Sequence, residues 1–301
     1  MKNSNLIIVI FLTLIATLSA SVMAAGVKYL SKDLNPFTIC FFRCLIGLIL
    51  VLPFVIKNNF KALKTKNLKL QFFRSFINVI SMVTWFTAIG IMHLEKATAL
   101  GFTTPLFTTI LAVIILGEII RIHRITALLI GFIGVIIIIR PGYLPLDFGT
   151  TLMLIASLSF SFVLIMVKKL SSYDSSLTII FYHLIFMTPI TFVISIFAWE
   201  GINLSQLLIF FYMATAGLIS HWCLAQAFKL SDTTFIMPLQ FTKLIWASLI
   251  GYFLFTEIPD TWTWIGAIII FTSVMYITYR EAFVKQKTDL KTNVDRAIIN
   301  Q

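Results

Sequence analysis

The chain has 301 residues, of which 59% are hydrophobic and 12% charged, with a mean hydropathy of +0.99. Soluble domains run near ~45–50% apolar and ~25% charged, so the composition excludes a soluble enzyme, a disordered chain and a nucleic-acid-binding domain, despite a net charge of +11. Three cysteines are too few for a disulfide framework or a four-ligand zinc site.

A membrane-spanning helix needs about 20 apolar residues. Ten apolar runs are legible, near 6–27, 37–56, 72–91, 97–116, 125–139, 150–167, 177–198, 207–225, 233–255 and 264–279. In the first, Lys2 and Val22-Met23-Ala24 resemble a secretory signal and its cleavage site. The run is longer than a signal's apolar region, and Ala16, Ala20 and Ala24 make a small-residue stripe suited to close helix contact, so it is read as an ordinary span.

The second run holds Arg43, six residues inside and so roughly 9 Å deep. Its side chain either serves recognition or snorkels to the headgroups. Cys40 and Cys44 read as small hydrophobes. In the third run Arg74, Asn78, Ser81 and Trp85 fall at offsets 0, 4, 7 and 11, one helical face. Lipid offers polar groups no partner, so Asn78 and Trp85 are expected to line a cavity. Arg74, near the edge, is expected to be an interfacial anchor.

Glu118 closes the fourth run and Glu257 the ninth. Both are read as structural, neutralising an adjacent helix N-terminus. The seventh run carries Tyr182 and His183, and the eighth carries His221 one turn after Gly217. The histidines suit hydrogen bonds between helices, and either could carry a proton. Pro105, Pro189 and Pro238 lie within runs and can bend helices.

Lys243 lies near the middle of the ninth run, about 15 Å from the membrane faces at ~1.5 Å per residue. A charge at a helix centre costs about 2.5–3.5 kcal/mol on insertion scales and marks a functional candidate. Gln240 and Trp246 lie three residues to either side, so a cation, an amide and an aromatic share one stripe. That set suits an anionic or zwitterionic planar ligand. None of the twelve Asp and Glu residues falls inside a span. A cation exporter or a carboxylate-driven proton pump is therefore disfavoured, and an uncoupled uniporter or exchanger for an anionic, zwitterionic or planar polar metabolite is expected.

With the N-terminus in the cytosol, seventeen of the 23 Lys and Arg fall inside, four fall outside, and Arg43 and Lys243 lie within spans. Positive charge marks the cytosolic side, so both termini are expected there.

The two halves match. A shift of 139 residues carries Glu118 to Glu257, Ala88 to Ala227, Phe102-Thr103 to Phe241-Thr242 and Ala127 to Gly266. Five spans per half is an odd number, so the halves enter the membrane in opposite senses. Inverted repeats recur in transporters, with the substrate held near the midplane. The expected architecture is all-α and polytopic: ten transmembrane helices as two inverted five-helix repeats, 1–142 and 143–280, with a polar cytosolic tail at 281–301.

Several segments carry a resemblance to a known family. They are FFRCLIGLILVLP in the second run, PLFTTILAVIILGE ending the fourth, RITALLIGFIGVIIIIRPG through the fifth, and LAQAFKLSDTTFIMPLQFTKLIWASLIGYFLFTE in the second half. The chain resembles the drug/metabolite transporter superfamily in its ten-span EamA type, over about residues 6–280. The segment FFRSFINVISMVTWFTAIGIMHLEKATALGFTTPLF looks most like bacterial members that include riboflavin and S-adenosylmethionine importers. Where second halves of that family often carry another proline, this chain has Lys243-Leu244.

The resemblance implies a multi-pass bacterial inner-membrane transporter working by alternating access, with S-adenosylmethionine or riboflavin uptake as candidates and export of amino acids or toxic metabolites as the alternative. From the residues, the expected substrate site is Lys243, Gln240, Trp246, Asn78, Trp85, Arg43 and Tyr182, the last being Arg43 shifted by 139. His183 and His221 are the possible proton carriers. No catalytic constellation, metal site or cofactor motif is evident, so an enzyme is not expected. The expected partners are a small-molecule substrate and the lipid bilayer, with no nucleic acid, in a monomer or homodimer.

Overall fold

In lipid, every backbone N–H and C=O must find its partner within the protein, so long apolar runs fold as helices. The structure is a computed structural model. It describes residues 3–57, 59–60, 63–92, 97, 100–101, 103–118, 122–139, 148–256 and, within 261–280, residues 261–262, 264–266, 268–269, 272–273, 275–276 and 280. These residues contain ten α-helices and no strand: α1 (Asn3–Leu30), α2 (Pro36–Lys57), α3 (Leu68–Ile91), α4 (Thr103–Leu116), α5 (Ile122–Ile139), α6 (Phe148–Ser171), α7 (Ser176–Ile196), α8 (Leu204–Leu230), α9 (Thr233–Leu239) and α10 (Thr242–Phe255). Helical residues recur between 261 and 280. Glu257 and the tail 281–301 lie outside the described residues.

Six of these helices are long and apolar enough to cross a membrane unbroken: α1, α2, α3, α6, α7 and α8. The ninth run, expected as one span, is two pieces. α9 stops at Leu239, and Gln240 and Phe241 form a turn before α10. Through this turn the amides of Gln240, Lys243 and Leu244 donate three residues back, to Met237, Gln240 and Phe241, at 3.0–3.1 Å. Pro238, one residue before the end of α9, has no N–H to give to the ladder within α9. α4 ends more simply at Gly117, whose φ of +66° suits glycine.

α3 is inside-out relative to a soluble helix. Gln71, Arg74, Ser75, Asn78 and Ser81 are buried, while Phe72, Phe73, Phe76 and Ile80 are exposed. Only an apolar solvent rewards that arrangement. Many hydroxyls satisfy themselves on their own helix, as Thr13 donates to Val9 O at 2.8 Å and Ser75 to Gln71 O at 2.8 Å.

The helices pack in matched pairs. α1 lies along α8 as α3 lies along α6, α3 meets α7 as α8 meets α2, and α2 lies against α7. Shifted by 139 residues, the bounds of α4 land on those of α10. Two apolar cores result. One joins Leu6, Val9, Val163, Leu170, Phe228 and Phe235 at the lysine-rich end of the bundle, close to Lys168, Lys169 and Lys229. The other joins Leu30, Ile39, Phe86, Ile89, Met153 and Phe210 at the opposite end.

Candidate functional site

Between the two cores lies a cavity of about 150 Å³. Its wall includes Met82, Phe86 and Met153 from one core and Leu224, Leu164 and Met237 from the other. α3 supplies its buried polar face, α8 a small-residue groove, and the turn between α9 and α10 a break in the wall.

α1 holds that break in place. Thr17 Oγ1 lies 3.0 Å from Thr242 Oγ1, and Ser21 Oγ donates to Lys243 O at 3.1 Å. Beyond the break Lys243 reaches into the cavity, with Nζ 5.4 Å from the centre of the Trp85 ring. Gln240 lies in the same wall, and its buried Nε2 has no partner among the described residues. The buried Ser157 Oγ, also in the wall, has none either.

Arg43 does not snorkel. It is 5% exposed and turned inward, with Nη2 donating to His221 Nε2 at 3.2 Å and Nη1 to Met82 Sδ at 3.6 Å. Gly217 makes the room, because a Cβ there would sit 2.9 Å from Arg43 Nη2. A guanidinium only donates, so His221 Nε2 accepts and its ring is neutral. Asn78 Nδ2 likewise meets His183 Nδ1 at 3.2 Å. The two imidazole centres are 5.0 Å apart. His183 stands behind the wall; His221 is part of it.

Among the described residues no carboxylate pairs with Arg43 or Lys243. Two cations therefore face a shared space with a planar indole and orphaned donors. A buried cation without a counter-charge is costly, and an acid group is the complementary ligand, since charge-assisted hydrogen bonds are the strong ones.

Two expected site residues lie elsewhere. Tyr182 is half-buried, donates its hydroxyl to Leu63 O at 2.8 Å and packs on Phe181 and Phe186. The shift that relates it to Arg43 matches backbone positions, and the Tyr182 hydroxyl is taken by Leu63 O away from the cavity. Trp246 is off the cavity, its buried Nε1 unpartnered among the described residues. Three residues past Lys243 it is about 4.5 Å farther along the axis and turned by about 60°.

The cavity repeats the internal symmetry. The shift of 139 takes Asn78 to Gly217, Ser81 to Ser220, Met82 to His221, Trp85 to Leu224, Gly101 to Gln240 and Thr104 to Lys243, and all twelve residues line the cavity.

Known proteins bear on this geometry. The model of the EamA-like transporter family matches residues 7–140 and again 147–279. The chain belongs to the EamA-like transporter family. It is similar to an S-adenosylmethionine uptake transporter of Rickettsia prowazekii, 30% identical over 89% of this chain and 91% of that one. It is also similar to a riboflavin transporter of Vibrio cholerae, 31% identical over 81% of this chain and 83% of the other. The pseudopaline exporter CntI of Pseudomonas aeruginosa is 24% identical over 87% of this chain and 92% of its own. A solved crystal structure superposes with a TM-score of 0.76 over 94% of this chain and 99% of its own, at 12% identity, a likeness of fold. This EamA-like protein is thus a multi-pass membrane transporter of a small molecule.

Sequence reasoning misplaced Arg74. It is not an interfacial anchor: it is 1% exposed, and Nη1 donates to Ile179 O at 3.0 Å. The signal was present, since Arg74 shares the helical face of Asn78 and Ser81. Its closeness to the end of the run concealed it. At that end Asp174 closes the bundle by accepting from Gln71 Nε2 and Thr65 Oγ1, both at 2.9 Å. Glu118 has the role expected of it, accepting from Thr233 N at 3.0 Å at the start of α9.

Proposed function

We propose that this EamA-like protein is a ten-span inner-membrane carrier built of two inverted repeats, 1–142 and 143–280, with both termini in the cytosol. It moves a small planar metabolite bearing an acid group, in anionic or zwitterionic form, by alternating access. The observation that carries this reading is the pair Arg43 and Lys243, facing one cavity beside Trp85 with no carboxylate partner among the described residues. Lys243 and Arg43 take the acid group, Trp85 takes the ring, and Gln240 and Asn78 fix its polar edge. Trp246 and Tyr182 have no part in this site.

The lysine-rich end supports the orientation. Matched packing of the two halves supports the inverted repeat, because two like units of opposite sense give outward- and inward-open states of similar energy. His183 and His221 accept from donors that are always protonated, which supports exchange without proton coupling.

The relatives point to flavin and S-adenosylmethionine uptake as cargo candidates. S-adenosylmethionine has a sulfonium and an ammonium against one carboxylate, so its net charge is positive. The cavity suits the corresponding sulfide, S-adenosylhomocysteine, a zwitterion of zero net charge, better. Export is the second reading, favoured by the likeness to CntI.

Counterflow in proteoliposomes tests the proposal with riboflavin, riboflavin 5′-phosphate, S-adenosylmethionine and S-adenosylhomocysteine. The expected result is faster exchange of the more negative member of each pair, unchanged by an imposed proton gradient. Preference for the more positive member of both pairs would overturn the assignment of the acid group, and a rate that follows the gradient would overturn uncoupled exchange.

A further inference from the structure

A second, smaller space lies beside the main cavity, toward the lysine-rich end. Its volume is about 10 Å³, and Arg74 and His221 are its polar lining residues. Phe160, Leu164, His221 and Leu224 belong to the walls of both spaces and form the partition between them. Its remaining wall is apolar, from Val163, Val167, Ile179, Ile180 and Ala225.

Arg74 is poorly satisfied there. A guanidinium has five donors. Among the described residues Arg74 makes one hydrogen bond, to Ile179 O, and its buried Nε has no partner. Asp174 could have served as a counter-charge through the same face of α3, but it is held one turn away by Gln71 and Thr65. A purely structural arginine in apolar surroundings is expected to spend its donors on carbonyls or a carboxylate. This one lines a space that shares four side chains with the cavity wall, and its Nε is left without a partner among the described residues.

We propose that Arg74 is an inner anion site: when α6 and α8 part at Phe160, Leu164 and Leu224, it receives the cargo's acid group from Arg43 and Lys243 on the way to the lysine-rich end. The proposal rests on the carrier reading above and deepens it. In the present conformation the space holds no more than a water molecule, so the site is used only in the state open on that side. Handing an acid group from one cation to the next avoids an unpaired anion in the apolar segment between the two sites. A neutral molecule needs no such step, so Arg74 separates anionic from neutral cargo after the outer cavity has bound both.

Two measurements test it. In the first, Arg74→Gln and Arg74→Lys are compared with the unaltered protein in counterflow of riboflavin 5′-phosphate and of riboflavin. Loss of a charge-assisted contact corresponds to about tenfold or more. Arg74→Gln is expected to slow the phosphate ester by that factor and riboflavin by less than about twofold, with Arg74→Lys recovering most of the ester's rate. Slowing both flavins alike, or neither, would overturn the proposal.

The second measurement needs no transport and no variant. The full chain in detergent is treated with phenylglyoxal, and modification of Arg74 is followed by peptide mass spectrometry with and without inorganic phosphate. Reaction at Arg74 that phosphate slows supports the site. An unreactive Arg74, or one that phosphate leaves unprotected, counts against it. If neither flavin is carried at all, the cargo reading fails while this labelling still decides on Arg74.

Discussion

The two halves of the cavity are built alike and equipped differently. Under the shift of 139, Ser81 and Ser220 are the same residue doing the same work: Ser81 Oγ donates to Ala156 O at 3.0 Å and Ser220 Oγ to Ala16 O at 2.8 Å, each tying its helix to a neighbour. The other five pairs do not match in chemistry. Lys243 faces the cavity where the first half has Thr104, Gln240 where it has Gly101, and His221 where it has Met82. In the other direction Trp85 stands against Leu224, and Asn78 against Gly217. Gly217 leaves space that Arg43 fills. In the proposed carrier, similar halves give two end states of similar energy. An asymmetric cargo, as proposed, calls for unlike side chains on the two sides of the cavity. Repetition is therefore preserved in the residues that tie helices together and abandoned in those that face the cavity with charge, amide or ring.

That contrast can be broken at graded strength. The largest effect is expected at the most unequal pair. Lys243→Met should lower exchange of an acid-bearing cargo by roughly 100-fold, as loss of a charged hydrogen bond worth up to ~3 kcal/mol implies. Thr104→Val, the same position in the other half, should stay within about twofold. Proteoliposome exchange, with insertion checked by chromatography in detergent, measures both. A Lys243→Met protein at the unaltered rate would remove the central residue of the site.

A middle effect is expected at the aromatic pair. Trp85→Leu makes the two halves alike there and removes the ring proposed to stack on the cargo, an aromatic contact of ~0.5–1.5 kcal/mol. Weaker cargo binding by about 2- to 12-fold is expected, visible as a raised KM with little change in maximal rate. Leu224→Ala should leave KM unchanged. Equal KM changes in the two variants would mean that the ring serves packing alone.

The smallest effect is expected at the matched pair. Ser81→Ala and Ser220→Ala each remove one interhelical hydrogen bond, worth about 0.6 kcal/mol in membrane proteins. Each should lower Tm in detergent slightly and by the same amount, with cargo preference unchanged. A change of preference in one serine alone would show that it contacts cargo, and the division between scaffold and chemistry would need redrawing at that pair.

Much of this was legible beforehand. Hydropathy and the scarcity of charge define a helical membrane protein, and the shift of 139 predicts the agreement of α4 with α10. Lys243, Gln240, Asn78, Trp85 and Arg43 were singled out by residue type and depth, and the structure places all five around one cavity. Other features were not legible. The ninth run reads as continuous because Pro238 is a single residue in an apolar stretch, and one proline does not show whether a helix bends or stops. Tyr182 was selected by symmetry and Trp246 by spacing. Neither rule includes the neighbouring helix that decides which face meets a cavity.

The amino-acid order alone determined the solvent of this protein, the repeat of its halves and the exclusion of acids from its spans. Those properties depend on composition, on period and on the cost of a charge in hydrocarbon, all of which act along the chain. Tertiary structure decided where the cations point. Arg43 turns inward because Gly217 on another helix leaves a hollow for it, and Arg74 is enclosed because α6, α7 and α8 surround it. A long side chain follows the space around it, and that space is set by helices distant in sequence.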